Sequence, residues 1–138
     1  MRRLCLRPRI VLFVGLDERT AQELTQALSP DQFQVQVLTA ASRDEQLAAI
    51  EQAKPHVLCC GSAEDYGPLV QEIRRRGSTA PFVVVSPQPR PAAQEWLAAL
   101  KQGAADFFGP PFLPQQVSWI VGNAARSAPM GAYLAARA

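Results

Sequence analysis

Gly103-Ala104-Ala105-Asp106-Phe107-Phe108-Gly109-Pro110-Pro111-Phe112 holds the end of one element, the whole of a second and the entry to a third. Gly103 is a helix stop, because glycine enters the left-handed conformation that closes a helix without a β-carbon clash. The helix it closes carries Trp96, Leu97 and Leu100. Ala105 to Phe108 is a short strand, and Gly109-Pro110-Pro111 ends it, since proline offers no amide hydrogen to a sheet. Leu113 to Arg126 then repeats apolar residues at helical spacing, with Val117, Ile120 and Val121 inward. Helix, strand, helix in that order is the closing unit of an alternating α/β chain.

The same alternation runs back to the start. Ile10-Val11-Leu12-Phe13-Val14 is a continuous branched, apolar run, as in a strand buried on both faces of a parallel sheet. Asp17 is a helix N-cap, Ala21, Leu24, Ala27 and Leu28 share one helical face, and Ser29-Pro30 stops the helix. Phe33 to Thr39 alternates apolar and polar residues, the pattern of an edge strand. Ser42 with Glu45 predicts a capping box for a second helix, with Leu47, Ala48 and Ile50 as its apolar stripe and Lys54-Pro55 as its end. Val57 to Cys60 is a third buried strand ending at Gly61. After the loop Ser62 to Gly67, Pro68 fits the first turn of a helix that buries Leu69, Val70 and Ile73 and stops at Gly77. Pro81 to Ser86 is the fourth strand, and the proline-rich stretch Pro87 to Pro91 leads to the fourth helix. Five strands alternating with five helices require right-handed crossovers and a parallel sheet covered on both faces. A flavodoxin-like, doubly wound α/β fold of strand order 2-1-3-4-5 is the natural solution.

At 138 residues the chain is expected to form one domain over residues 1–126, with 127–138 as a tail. The tail is alanine-rich and broken by Pro129, so it reads as a frayed helix or the start of a linker. Apolar residues make up 48% and charged residues 19%, in the range of ordinary globular proteins. A net charge of +2, nearly all of its positive side Arg, does not imply nucleic acid; Arg2-Arg3 and Arg74-Arg75-Arg76 are too short as clusters. Cys5, Cys59 and Cys60 lack zinc spacing, and adjacent strand cysteines point apart, so buried, reduced thiols are expected. The apolar run Ile10 to Leu16 is too short for a membrane span and makes a poor signal peptide, which predicts a cytoplasmic protein with no membrane contact.

Two segments carry a family resemblance. Gly103 to Phe112 is similar to the fifth-strand signature of response-regulator receiver (CheY-like) domains, A-G-A-D-D-Y-L-T-K-P-F, and Lys54-Pro55-His56-Val57-Leu58-Cys59-Cys60-Gly61 resembles their third strand, K-P-D-L-V-L-L-D. Together with element order, the resemblance runs from about Arg9 to Arg126. It implies a site built from an acidic pair after the first strand, a phospho-accepting Asp after the third, a hydroxyl after the fourth and a Lys after the fifth. In such a site the carboxylates hold Mg²⁺ while metal and Lys neutralise the transferred phosphoryl group. Mapped onto this chain, the acceptor is Gly61, the Lys is Pro110 and the hydroxyl is kept as Ser86. The acidic pair falls on Gly15-Leu16 by strand alignment, or on Leu16-Asp17 if the first helix sets the register. Glycine has no side chain with which to form an acyl phosphate, so the resemblance implies a degenerate pseudo-receiver that needs no Mg²⁺ and no other cofactor. Glu64 and Asp65 are weak candidates as replacement acceptors, being more simply read as caps of the third helix.

Individual residues allow a plain reading beside a functional one. Ser86 before Pro87 reads as a backbone cap or as a relic of phosphate binding. Phe107 matches the aromatic that in the family turns with phosphorylation, and without an acceptor reads as a fixed core or interface residue. His56 is a strand-entry residue before it is a base, and Cys59 and Cys60 are core fillers before they are redox groups. Trp96 and Trp119 read as one buried aromatic per helix, or as exposed interface residues, since that face serves receivers for dimerisation. Pro110-Pro111 matches the place where receivers carry a cis peptide. Gly15, Gly61, Gly67 and Gly109 would leave a neutral crevice at the carboxyl ends of the strands, either packed shut by Leu16, Phe108 and the prolines or open to a small molecule.

Three functions follow as expectations. The first is a phosphorylation-independent module in bacterial signal transduction that binds a protein partner, or itself as a homodimer, through the fourth helix, fifth strand and fifth helix. The alternative is a small-molecule or nucleotide sensor using the crevice, although no G-x-G-x-x-G or G-x-x-x-x-G-K-[ST] motif supports phosphate cradling. An enzyme has the least support: a single histidine and mid-strand cysteines supply no nucleophile, base and orienting group together.

Overall fold

A computed structural model describes residues 8–39, 42–62 and 66–126. Its elements are β1 (Arg9–Val14), α1 (Glu18–Ala27), β2 (Phe33–Leu38), α2 (Arg43–Ala53), β3 (Val57–Gly61), α3 (Tyr66–Arg75), β4 (Phe82–Val85), α4 (Ala93–Lys101), β5 (Asp106–Phe108) and α5 (Pro114–Arg126). All strands are parallel in the order β2-β1-β3-β4-β5, the flavodoxin-like, doubly wound arrangement.

Strand alternation divides the core in two. Val11, Phe13, Cys59, Val83 and Val85 face α1 and α5, where they meet Leu24, Val117 and Val121. Leu12, Val14, Leu58, Cys60 and Val84 face the opposite side and meet Leu47, Ile50, Leu69, Ile73, Ala99 and Phe107. Truncating a fully buried leucine such as Leu24 or Leu58 to Ala costs about 2–5 kcal/mol, so this alternation is what holds the strand register.

Helix ends follow local chemistry. Asp17 caps α1, and Ser42 caps α2 by accepting from the Glu45 amide while its hydroxyl donates to the Glu45 carboxylate. The α3 and α4 helices close alike: the Ser78 amide donates to the Ile73 carbonyl and that of Gly77 to Arg74, as Ala104 does to Ala99 and Gly103 to Leu100.

The structure departs from expectation in places. Helix α3 starts at Tyr66, inside the expected loop Ser62 to Gly67, with Pro68 in its first turn as expected, and β4 ends one residue before Ser86. Ala48 is exposed, so the inner stripe of α2 is Leu47 and Ile50. On α4 the apolar residues Trp96, Leu97 and Leu100 are exposed and only Ala99 is buried. The sequence placed these residues on the helix without saying which face the sheet covers. The tail 127–138, Cys5 and the Arg2-Arg3 pair lie outside the described residues.

Candidate functional site

Parallel register delivers the expected positions to one edge of the sheet. Val14 pairs with Cys60, Gly61 with Val85, and Val85 with Phe108. The residues that follow, Gly15, Leu16, Ser86, Gly109 and Pro110, therefore gather with Gly61 at the carboxyl ends of the strands, where open parallel sheets bind ligands. What has gathered there is mostly backbone.

At the centre, Gly61 is buried and has no room for a side chain. A β-carbon built on it would come closer than 3.0 Å to the Gly15 carbonyl oxygen and would meet the Leu16 Cδ2 at 3.5 Å. The chain reaches this position because Gly15 leaves β1 in the left-handed conformation, φ 70°, which brings Leu16 back over the end of β3. Leu16 packs against the core on the α1 and α5 side. The space a side chain at Gly61 would need is thus taken by the loop after β1.

Asp17 is turned to another task. Its Oδ1 accepts from the Thr20 hydroxyl at 2.6 Å and its Oδ2 from the Thr20 amide at 3.1 Å, so both oxygens serve the first turn of α1. The Thr20 hydroxyl, and then its amide, hold the Asp17 carboxyl below the usual carboxylate range. Among the described residues, no group of three His, Cys, Asp or Glu side chains is placed to hold a metal ion. Glu64 and Asp65 lie outside the described residues.

The other side of the edge is closed by a carbonyl that sequence reasoning missed. A β-carbon on Gly109 would lie 2.6 Å from the Gln88 carbonyl oxygen and 3.3 Å from that of Ser86. Ser86 is buried, at 1% exposure; its hydroxyl accepts from the Gln88 amide at 3.1 Å and faces the Gln88 carbonyl at 3.3 Å. Ser86 therefore folds the loop after β4 down onto Gly109, a local serine turn. Pro110, expected at the position of the Lys in the resembled family, is joined to Pro111 by a cis peptide bond, and Phe108 stacks edge-on with Phe112 at 6.0 Å. Gly67 belongs elsewhere: a β-carbon built on it would meet the Gln102 side chain at 3.3 Å. Among the described residues, Gly61 is thus covered by the Gly15 carbonyl and Leu16, and Gly109 by the Gln88 carbonyl, backbone approaches that no residue type announces.

The remaining candidates divide by exposure. Trp96 is 48% and Trp119 62% exposed, which rules out the reading of one buried aromatic in each helix and leaves the exposed one. Phe107, grouped with them as an interface candidate, is 8% exposed and packs in the core beside Val84, so it is not part of that surface. On α5 the helical repeat sets Trp119 opposite the core stripe Val117, Val121 and Ala124. His56 extends the β1–β3 pairing: its amide donates to the Ile10 carbonyl and its Nδ1 accepts from the Ile10 amide, each at 2.9 Å. Cys59 and Cys60 are fully buried; burial raises both thiols, that of Cys60 to about 12.

This fold is that of response-regulator receiver (CheY-like) domains. A putative response regulator from Chloroflexus aurantiacus J-10-fl superimposes with a TM-score of 0.70 at 27% identity, over 88% of this chain and 100% of that one. A response regulator from Thermotoga maritima gives a TM-score of 0.72 at 20% identity, with coverage of 88% and 100%. NtrX from Brucella abortus in complex with ADP gives 0.73 at 20% identity; the match covers 95% of this chain and 29% of that one, so this chain spans under a third of that length. No protein-family model matches the sequence, and no curated protein matches it.

Proposed function

We propose that this chain is a phosphorylation-independent pseudo-receiver, a receiver-fold domain of bacterial signalling that acts by docking a protein partner or a second copy of itself. The observation that carries this reading is the closure of Gly61 by the Gly15 carbonyl and Leu16. An acceptor there would lack both a side chain and the volume for one, and Asp17 is committed to capping α1. In this reading the domain catalyses nothing and uses neither Mg²⁺ nor a cofactor.

The docking surface is assigned to α4, β5 and α5. Its support is the outward placement of Trp96, Leu97 and Leu100 on α4, Leu113 at the entry to α5, and Trp119 on α5. Large apolar side chains at such density are a feature of interfaces more than of solvated helices. Sensing of a metabolite in the strand-end crevice has less support, because Leu16 and the Gly15 carbonyl crowd Gly61 and the Gln88 carbonyl crowds Gly109.

The test is incubation with Mg²⁺ and acetyl phosphate, or with beryllofluoride, followed by intact mass and sedimentation. The expected result is unchanged mass and unchanged association state. A stoichiometric acyl phosphate would overturn the reading.

A further inference from the structure

The edge of the sheet opposite the closed crevice holds a cleft of about 540 Å³ between the ends of α2, α3 and α5, within the size range of small-molecule sites. Its floor is apolar: Ile50 and Ile73 are buried core residues that reach it, flanked by Pro55 and Pro81. Its rim is rich in hydrogen-bond donors. Lys54, Arg76 and Arg126 are cationic, against one carboxylate, Glu51.

That carboxylate is already taken. Arg76 binds Glu51 Oε1 at 2.9 Å and Glu72 at 3.3 Å, which ties α3 to α2 and offsets the Glu51 charge. The nearby Arg74 is also satisfied, donating to the Ser78 carbonyl at 3.2 Å. By contrast, the Lys54 ammonium, the Arg126 guanidinium and the Thr79 hydroxyl make no hydrogen bond or ion pair among the described residues. His56 adds a fourth donor. Because its Nδ1 accepts from the Ile10 amide, the neutral ring carries its proton on Nε2, with its orientation fixed by the strand. Basic residues at helix ends complement the carbonyl dipoles there, which explains their position but not an apolar floor beneath them.

We propose that this cleft binds a small organic oxyanion, a carboxylate or phosphate ester with a compact apolar body. The head is received by Lys54, Arg126, His56 Nε2–H and Thr79, and the body rests on Ile50, Ile73 and the two prolines. The site is independent of the docking surface and of the receiver's phosphoryl position, which lies at the other end of the strands.

Benzoate and phenyl phosphate, titrated into the ¹⁵N-labelled chain, are the probes, with benzyl alcohol and inorganic phosphate as controls. Saturable shifts are expected at the amides of His56, Gly77, Ser78, Thr79 and Ala80 with one or both organic anions, and which of them binds more tightly identifies the head group. Each control is expected to bind about tenfold more weakly, and the Lys54→Gln/Arg126→Gln double variant to lose about tenfold in affinity with its spectrum otherwise preserved. Equal binding of benzyl alcohol, equal binding of inorganic phosphate, or no shift at these amides with either organic anion would overturn the proposal. So would a Thr79→Val variant and the double variant that both bind as the native chain does.

Discussion

The carbonyl oxygen of Gly15 occupies the direction in which a β-carbon of Gly61 would project. In the proposed reading, the missing acceptor side chain and the close approach of the β1–α1 loop go together, so restoring the side chain is not expected to restore a phosphoryl site. Gly61→Asp is expected to remain unmodified by acetyl phosphate and Mg²⁺. It is also expected to lose about 1–3 kcal/mol of stability as an overpacked core position, a fall in melting temperature of roughly 3–10 °C. Gly61→Ala should show most of the same loss, because the clash begins at the β-carbon; a fully stable alanine variant would show the loop yields freely.

Asp17→Ala should cost about 1 kcal/mol through loss of the α1 cap. The sign of the pH effect follows from the lowered carboxyl: stability from Asp17 is present above its ordinary value of about pH 4 and is lost as pH falls through the lower folded value. Denaturation measured from pH 6 down to pH 2 should therefore show a shallower acid limb in Asp17→Ala than in the native chain. Addition of Mg²⁺ should change neither curve.

Most of the fold was legible because its signals are local. Asp17 and Ser42 announce helix starts by side-chain chemistry, and the branched runs Val57 to Cys60 and Phe82 to Val85 announce strands buried on both faces. The candidate site was legible as a set of positions, because register follows from strand order. Its closure was not, since the approaches of Gly15 to Gly61 and of Gln88 to Gly109 are made by backbone between distant segments. The exposure of Trp96, Leu97 and Leu100 was not decided by sequence for a related reason. Spacing put them on one helix, while only the packing of Ala99 over the sheet decides which way that helix faces.

The cysteines offer a test of burial. In a Cys5→Ser background, Cys59 and Cys60 should resist a thiol-exchange reagent at pH 8, because the reactive species is the thiolate and burial suppresses it. Reaction should follow the rate of unfolding and become immediate in denaturant. Rapid labelling of the folded chain would contradict the packing of β3.

The exposed tryptophans should separate association from stability. Trp96→Ala and Trp119→Ala are each expected to change unfolding free energy by no more than about 0.5 kcal/mol, as surface substitutions do. If the surface docks a second copy, each should weaken self-association about tenfold or more by sedimentation, in the manner of an interface hot spot. A monomeric native chain would direct the same variants to partner binding instead.

Helix α4 is held to the domain with Ala99 as its single fully buried side chain, whereas α1 commits Thr20, Ala21, Leu24 and Ala27. Opening free energies within a native protein track such anchorage, so the backbone amides of α4 should exchange with solvent by local release, well before the domain unfolds. A molecule that covers Trp96 and Leu100 would then supply tethering that the domain itself lacks. Its arrival would be recorded as slowed exchange in α4 before any change in shape, making this helix a place where occupancy is converted into order.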